Sequence, residues 1–237
     1  MSRYFALIPA AGLGARFGGE MPKQYLPVHG RPLLWHAAAV LAQHPRIERV
    51  VVVLHPDDSR FMQEPWQELG VIEGLRVGGR TRAESVHNGL RAMRGVAQDD
   101  WVLVHDAARP CLTLAMIDRL LDEVGDDTAG GLLAVPLADT LKRGDANSCV
   151  IATEPREDRW RAQTPQMFRY GVLLTALAAS RDVTDDASAV EAMGLRPRLV
   201  MGSDLNLKVT YPEDLLLAEL VLRAARPSAN STPTPDP

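Results

Sequence analysis

The stretch PAAGLGARFGGEMPKQY, Pro9 to Tyr25, combines small residues, glycines and two cations, Arg16 and Lys23. Backbone amides left bare by glycine can point at an anion and let it approach closely. Three phosphate-binding patterns compete for it. The dinucleotide fingerprint G-x-G-x-x-G, counted from Gly12, needs glycine where Phe17 stands. The P-loop spacing is met by Gly14 and Gly19, but Glu20 and Met21 occupy the places of Lys and Ser/Thr. The third pattern keeps Gly12 and Gly14 and adds Arg16 and Lys23 as cations. Two extra cations suit a triphosphate, because fixed positive charge stabilises a departing pyrophosphate. The plain alternative is a glycine turn with two solvated bases.

Other residues offer compatible chemistry. Asp106, in HDAARP, follows an apolar run and is the best magnesium ligand by type, since a hard cation takes carboxylate oxygen and keeps several waters. Arg109 can contact phosphate or hold Asp106. In GGRTRAES, Thr81 or Ser85 can start a helix. Lys208 sits in an otherwise apolar LNLKVT, either as a cation for phosphate or as an edge-strand lysine that discourages aggregation. Arg156 lies among Glu154, Glu157, Asp158 and Arg159, where a solvated salt-bridge face is the alternative. The six histidines have no metal spacing, and His105 reads as a packed residue. No Ser–His–Asp or Cys–His arrangement stands out.

These residues must be carried by a scaffold. Apolar runs at Tyr4–Pro9, Arg49–Pro56, Trp101–Pro110 and Gly130–Leu137 read as strands, and RLVMG (Arg198–Gly202) follows with no element assigned to it. Leu33–His44, Ala83–Met93, Leu114–Val124, Tyr170–Ser180, Asp186–Gly194 and a segment opening at Pro212 read as helices. LNLKVT reads as a further short strand. Val- and Leu-rich strands without alternation, separated by helices, predict an α/β fold: a Rossmann-like, mostly parallel sheet flanked by helices. Between Ala138 and Arg161 the rhythm breaks. TLKR, turn residues GDANS and CVIAT predict a β-hairpin arm projecting from the sheet. Residues 1–226 form one expected domain with 138–161 as the arm. Residues 227–237, PSANSTPTPDP from Pro227, have little to bury and read as a disordered tail.

The totals set limits. With 237 residues, 46% apolar, the chain can bury a sizeable core unaided. A net charge of −4 gives no global field for nucleic acid. Cys111 and Cys149 form no framework and fit reduced thiols in a cytoplasmic protein. There is no signal-peptide pattern, and no apolar stretch approaches the ~20 residues a membrane span needs.

PAAGLGARFGGEMPKQYLPVHGRPLL resembles the opening of nucleotidyltransferases that join a nucleoside monophosphate to a sugar phosphate. With GGRTRAESVHNGL, VHDAARP, DTLK, QTPQMF, TDDASAVE and LNLKVTYPEDL in this order, the chain resembles the 2-C-methyl-D-erythritol 4-phosphate cytidylyltransferases from Tyr4 to Arg226. The resemblance implies the nucleotidyltransferase type of α/β fold. It also implies CMP transfer from CTP to methylerythritol phosphate, with Mg²⁺, in non-mevalonate isoprenoid synthesis. Arg16, Lys23, Arg156 and Lys208 would be catalytic. Ala10, Ala11, Gly12, Gly79, Arg82, Ser85, Asp106, Ala107 and Arg109 would bind the nucleotide, with Asp106 as metal ligand. Asp139, Thr140, Arg156, Thr164, Thr184 and Lys208 would bind the second substrate, some across a homodimer through the arm. A ribitol-5-phosphate cytidylyltransferase and a non-catalytic nucleotide-binding regulator are the alternatives.

Overall fold

A computed structural model describes residues 2–12, 21–70, 72–179 and 183–225. The strands are β1 (Tyr4–Ala10), β2 (Pro27–Val28), β3 (Arg31–Pro32), β4 (Ile47–Leu54), β5 (Ile72–Leu75), β6 (Trp101–Val104), β7 (Gly131–Pro136), β8 (Leu141–Gly144), β9 (Val150–Glu154), β10 (Trp160–Arg169) and β11 (Arg198–Met201). The helices are α1 (Leu33–Gln43), α2 (Arg82–Ala92), α3 (Leu114–Val124), α4 (Tyr170–Ala179), α5 (Asp186–Glu191) and α6 (Pro212–Ala224).

Strand β1 shows why the sheet is sandwiched. Ala6, Ile8 and Ala10 join the apolar cluster that holds Leu34, Leu41, Ile117 and Leu120 of α1 and α3. Phe5 and Leu7 join the opposite cluster with Val86, Leu90, Leu173 and Val190 of α2, α4 and α5. Both faces of the strand are buried, so alternation is absent from its sequence. A third, smaller cluster places Val28, Leu33, Cys111 and Val209 against Ala218 of α6.

The main sheet has seven strands in the order β11-β7-β10-β6-β1-β4-β5. All neighbours pair in parallel except β10, which is antiparallel to both β6 and β7. Chain order reverses between β1 and β6, and open α/β sheets bind ligands at the carboxyl ends of strands at such a point. Strands β8 and β9 pair in a separate two-stranded sheet, in register Leu141↔Glu154 and Arg143↔Ala152, with mostly exposed residues.

The mostly parallel sheet and the positions of the six helices follow the sequence reading. The edge strands β5 and β11 have no counterpart in that reading, and two further features depart from it. LNLKVT forms no strand: Asp204–Asn206 turns and Lys208–Thr210 runs without ladder partners. Val209 N–H donates to the Ala108 carbonyl (2.8 Å), so the segment is tied to the loop after β6. The edge-strand explanation of Lys208 therefore fails. The second feature is β10, which runs through QTPQMF, a motif to which the sequence reading assigns no element. Its register against β7 shifts between Ala162 and Gln166, which accommodates Pro165 within an inner strand.

Candidate active site

A cavity of about 660 Å³ opens at the carboxyl ends of β1 and β6. Pro9–Gly12, Lys23, Gln24, Gly79–Arg82, Ser85, Asp106–Ala108, Lys208 and Thr210 contribute to its lining. The structure thus gathers Ala10, Ala11, Gly12, Lys23, Gly79, Arg82, Ser85, Asp106, Ala107 and Lys208 in one place. Arg16 and Gly14 lie outside the described residues.

The glycines do different jobs. A side chain at Gly78 would run into the Ala11 side chain and approach the Leu54 carbonyl oxygen at 2.6 Å. The protein itself requires glycine there. Around Gly12 a Cβ would meet no protein atom within 4 Å, so nothing among the described residues demands its bareness. The open space belongs to the cavity.

Loop 78–81 is fixed by local hydrogen bonds. Thr81 caps α2, its hydroxyl accepting from Glu84 N–H at 3.0 Å. Ser85 is not the cap. Its hydroxyl accepts from Gly79 N–H (3.0 Å) and donates to the Thr81 carbonyl (2.9 Å). Gln24, to which the sequence reading gives no role, donates to the Ala10 carbonyl at 2.7 Å and ties the two sides of the glycine segment together. Lys23 donates to the Val209 carbonyl at 2.8 Å.

Asp106 is the electrostatic hub. Its Oδ1 lies 2.9 Å from Arg82 Nε, and its Oδ2 lies 2.8 Å from Lys208 Nζ and 3.9 Å from Arg109 Nε. Burial alone would raise its pKa. The charges of Arg82 and Lys208, the Lys208 hydrogen bond and the charge of Arg109 outweigh it and hold the carboxyl far below the ordinary carboxylate range. Arg82 bridges onward: its Nη2 is 2.8 Å from Oδ2 of the buried Asp186.

The loop carrying Asp106 is braced from behind by a directed chain. The Arg109 carbonyl can only accept, so His105 Nε2–H donates to it (3.0 Å). His105 Nδ1 is then the acceptor for the Thr164 hydroxyl (3.0 Å), whose oxygen accepts from Asp106 N–H (3.0 Å). Burial, countered by the Arg109 hydrogen bond, pushes the His105 pKa down to about 4, so the ring stays neutral at physiological pH. His105 is the packed residue its sequence context suggests. Arg109 is buried and donates to the Asn206 carbonyl at 2.6 Å, and Asn206 in turn donates to the Thr164 carbonyl at 2.9 Å. Of the two roles open to Arg109, its position matches support of Asp106.

The remaining candidates stand apart. Asp139, Thr140 and Arg156 are exposed on and beside the β8–β9 hairpin, and Arg156 donates to the Ala138 carbonyl. Thr184 is exposed before α5, whose cap is Asp185 in a capping box with Ser188. None of these four lines the cavity of the single chain.

This geometry suits a polyanion: bare backbone, cations from three segments, and one permanently ionised carboxylate. The family model for 2-C-methyl-D-erythritol 4-phosphate cytidylyltransferase (IspD) matches residues 4–224. The chain belongs to this family. A 2-C-methyl-D-erythritol 4-phosphate cytidylyltransferase of Dechloromonas aromatica is 61% identical over 228 residues, covering 95% of this chain and 100% of the relative. Among solved structures, a 4-diphosphocytidyl-2C-methyl-D-erythritol synthase superposes with a TM-score of 0.83 at 39% identity, covering 94% of this chain and 99% of that one. The cytidylyltransferase from Thermus thermophilus gives a TM-score of 0.76 at 34% identity, covering 92% and 98%. The solved structures of this family share the fold. Among the described residues no helix is long and apolar enough to cross a membrane.

Proposed function

We propose that this cytidylyltransferase transfers CMP from CTP to 2-C-methyl-D-erythritol 4-phosphate, releasing pyrophosphate and forming 4-diphosphocytidyl-2-C-methyl-D-erythritol for isoprenoid synthesis. The observation that carries the site assignment is the Asp106 hub, where Arg82, Lys208 and Arg109 converge on one carboxylate at the mouth of the switch-point cavity.

The acceptor phosphate is ionised at neutral pH and needs no general base. It attacks the α-phosphorus of CTP in line and pyrophosphate leaves. Catalysis then consists of holding two anions together and neutralising charge. In this reading Gly12, Gly79 and Ser85 sit against cytidine, with Ala10, Ala11 and Ala107 giving it room. Lys23 and Arg16 hold the phosphates, and Lys208 turns from Asp106 towards the reacting phosphoryl group. Lys208 is free to do so because its side chain is 42% exposed.

Among the described residues no three His, Cys, Asp or Glu side chains gather as a metal cage. The donor set nonetheless fits Mg²⁺ that arrives with the nucleotide: one ionised carboxylate from Asp106, with phosphate and water oxygens completing the shell. Mg²⁺ there would neutralise phosphate charge.

The β8–β9 hairpin is assigned as a dimerisation arm. Val150 and Ile151 are 64% and 58% exposed in the single chain, an apolar pair that a second copy would cover. Arg156, Asp139 and Thr140 are assigned to the partner's acceptor site, with Thr164 and Thr184 beside it. Free Cys111 and Cys149 accord with a cytoplasmic enzyme.

Purified protein with CTP, methylerythritol phosphate and Mg²⁺ should release pyrophosphate. Release with ribitol 5-phosphate in place of methylerythritol phosphate, and none with the latter, would overturn the acceptor assignment.

A further inference from the structure

Asp186 is fully buried in the first turn of α5, yet it neither caps that helix nor lines the cavity. Capping is done by Asp185. Neither carboxylate oxygen of Asp186 has a well-aligned hydrogen bond, and among the described residues its ion pair is with Arg82 at 2.8 Å. A buried carboxylate is costly without a fixed counter-charge.

The backbone around it is held rigidly. On β10, Gln166 donates to the Asp185 side chain (2.8 Å) and accepts from Ala187 N–H (2.8 Å). Asp186 thus sits between two residues tied to one glutamine. Arg82 opens α2, and its guanidinium spans two carboxylates, with Nε on Asp106 and Nη2 on Asp186. The planar fork of arginine presents separate N–H groups to the two carboxylates, a geometry the single ammonium of lysine does not reproduce.

The two carboxylates are not equivalent. Asp106 faces the cavity and shares its charge with Lys208 and Arg109, so its contacts must redistribute when phosphates enter. Asp186 sits behind, sealed from the cavity. We infer that Asp186 is a positioning residue that anchors the Arg82 guanidinium at the nucleotide site while Asp106 exchanges its partners. The inference rests on the assignment of this cavity to CTP.

The test is a double-mutant cycle on the full chain, read as KM for CTP, kcat and thermal midpoint. Asp186→Asn keeps shape and removes charge. It should raise KM for CTP about tenfold with kcat changed less than about twofold. Arg82→Ala should raise KM at least as much, and the double variant should be no worse than Arg82→Ala alone. A purely structural Asp186 would lower the thermal midpoint and leave KM unchanged, or would act additively with Arg82→Ala; either result overturns the inference. Should Asp186→Asn fail to fold, Arg82→Lys decides: it should show the same rise in KM, and an unchanged KM overturns the proposal. Failure of the cavity assignment has a different signature, in which Lys23→Ala and Lys208→Ala also leave KM and kcat untouched.

Discussion

Lys23 Nζ donates to the Val209 carbonyl at 2.8 Å, joining segments 186 residues apart in sequence. One residue before that carbonyl, Lys208 Nζ contacts Asp106 at 2.8 Å. Two cations that line the cavity are therefore held on protein oxygens. Lys23→Ala should lower kcat about 10²–10³-fold, the effect of removing one group that stabilises developing charge. Pyrophosphate release measures it, and a loss below about fivefold would remove Lys23 from the machinery.

Gly12 and Gly78 should respond oppositely to the same methyl group. Gly78→Ala forces contact with Ala11 and the Leu54 carbonyl and should lower the thermal midpoint markedly. Gly12→Ala meets no protein atom and should melt like the wild type, while KM for CTP rises. Equal melting of both variants would show that the close approach at Gly78 relaxes freely.

Asp106→Asn should cost about 3–5 kcal/mol at neutral pH, because it leaves Arg82, Lys208 and Arg109 around an uncharged amide. The folded-state pKa of Asp106 is depressed, so its contribution is complete above the unfolded value near ~4 and fades only as pH falls below it. Urea denaturation of the variant and wild type should therefore show a constant gap from about pH 8 to about pH 5.

His105 also costs stability on acidification, but in a higher pH window. Its folded pKa is about 4, below the ordinary 6.5, because the ring is buried. The unfolded chain takes up the proton first, so stability has no His105 penalty above pH 6.5 and falls as pH drops from 6.5 towards 4. The full effect is on the order of 3 kcal/mol. His105→Leu should be less stable than wild type at neutral pH, since the Thr164 hydroxyl and Arg109 carbonyl lose their partner. Its stability should nonetheless fall less than that of the wild type between about pH 7 and about pH 4.5.

Ile151→Asp places charge on the exposed apolar pair of the hairpin. If the hairpin grips a second copy, light scattering should report a monomer, and KM for the acceptor should rise while KM for CTP holds. A dimer that persists with normal acceptor KM would argue against the arm assignment.

Much of this is legible in residues whose environment is local. Both-face burial of β1 is written in YFALIPA, and the residue types at Asp106 and Lys208 already point to phosphate chemistry. What stays hidden depends on partners far along the chain. Gln166 and Pro165 belong to no recognisable element until β10 is seen running between β6 and β7. Lys208 reads as a strand residue because LNLKVT on its own reads as a short, otherwise apolar strand, whereas the segment is tied by Val209 to Ala108. Asp186 carries no signal beyond a helix-opening acid, since its burial against Arg82 follows from how α5 docks on Gln166. Arg16 and the 227–237 tail fall outside the described residues.

The single reversed strand has a consequence for how such an enzyme can change. Because β10 runs against its neighbours, the hairpin that precedes it emerges at the same end of the sheet as the carboxyl termini of β1 and β6. Most of the cavity lining comes from the first half of the chain, with Lys208 and Thr210 added from the second, while the hairpin pairs only with itself outside the main sheet. A two-stranded sheet of mostly exposed residues can change in sequence without disturbing the strands whose ends line the cavity.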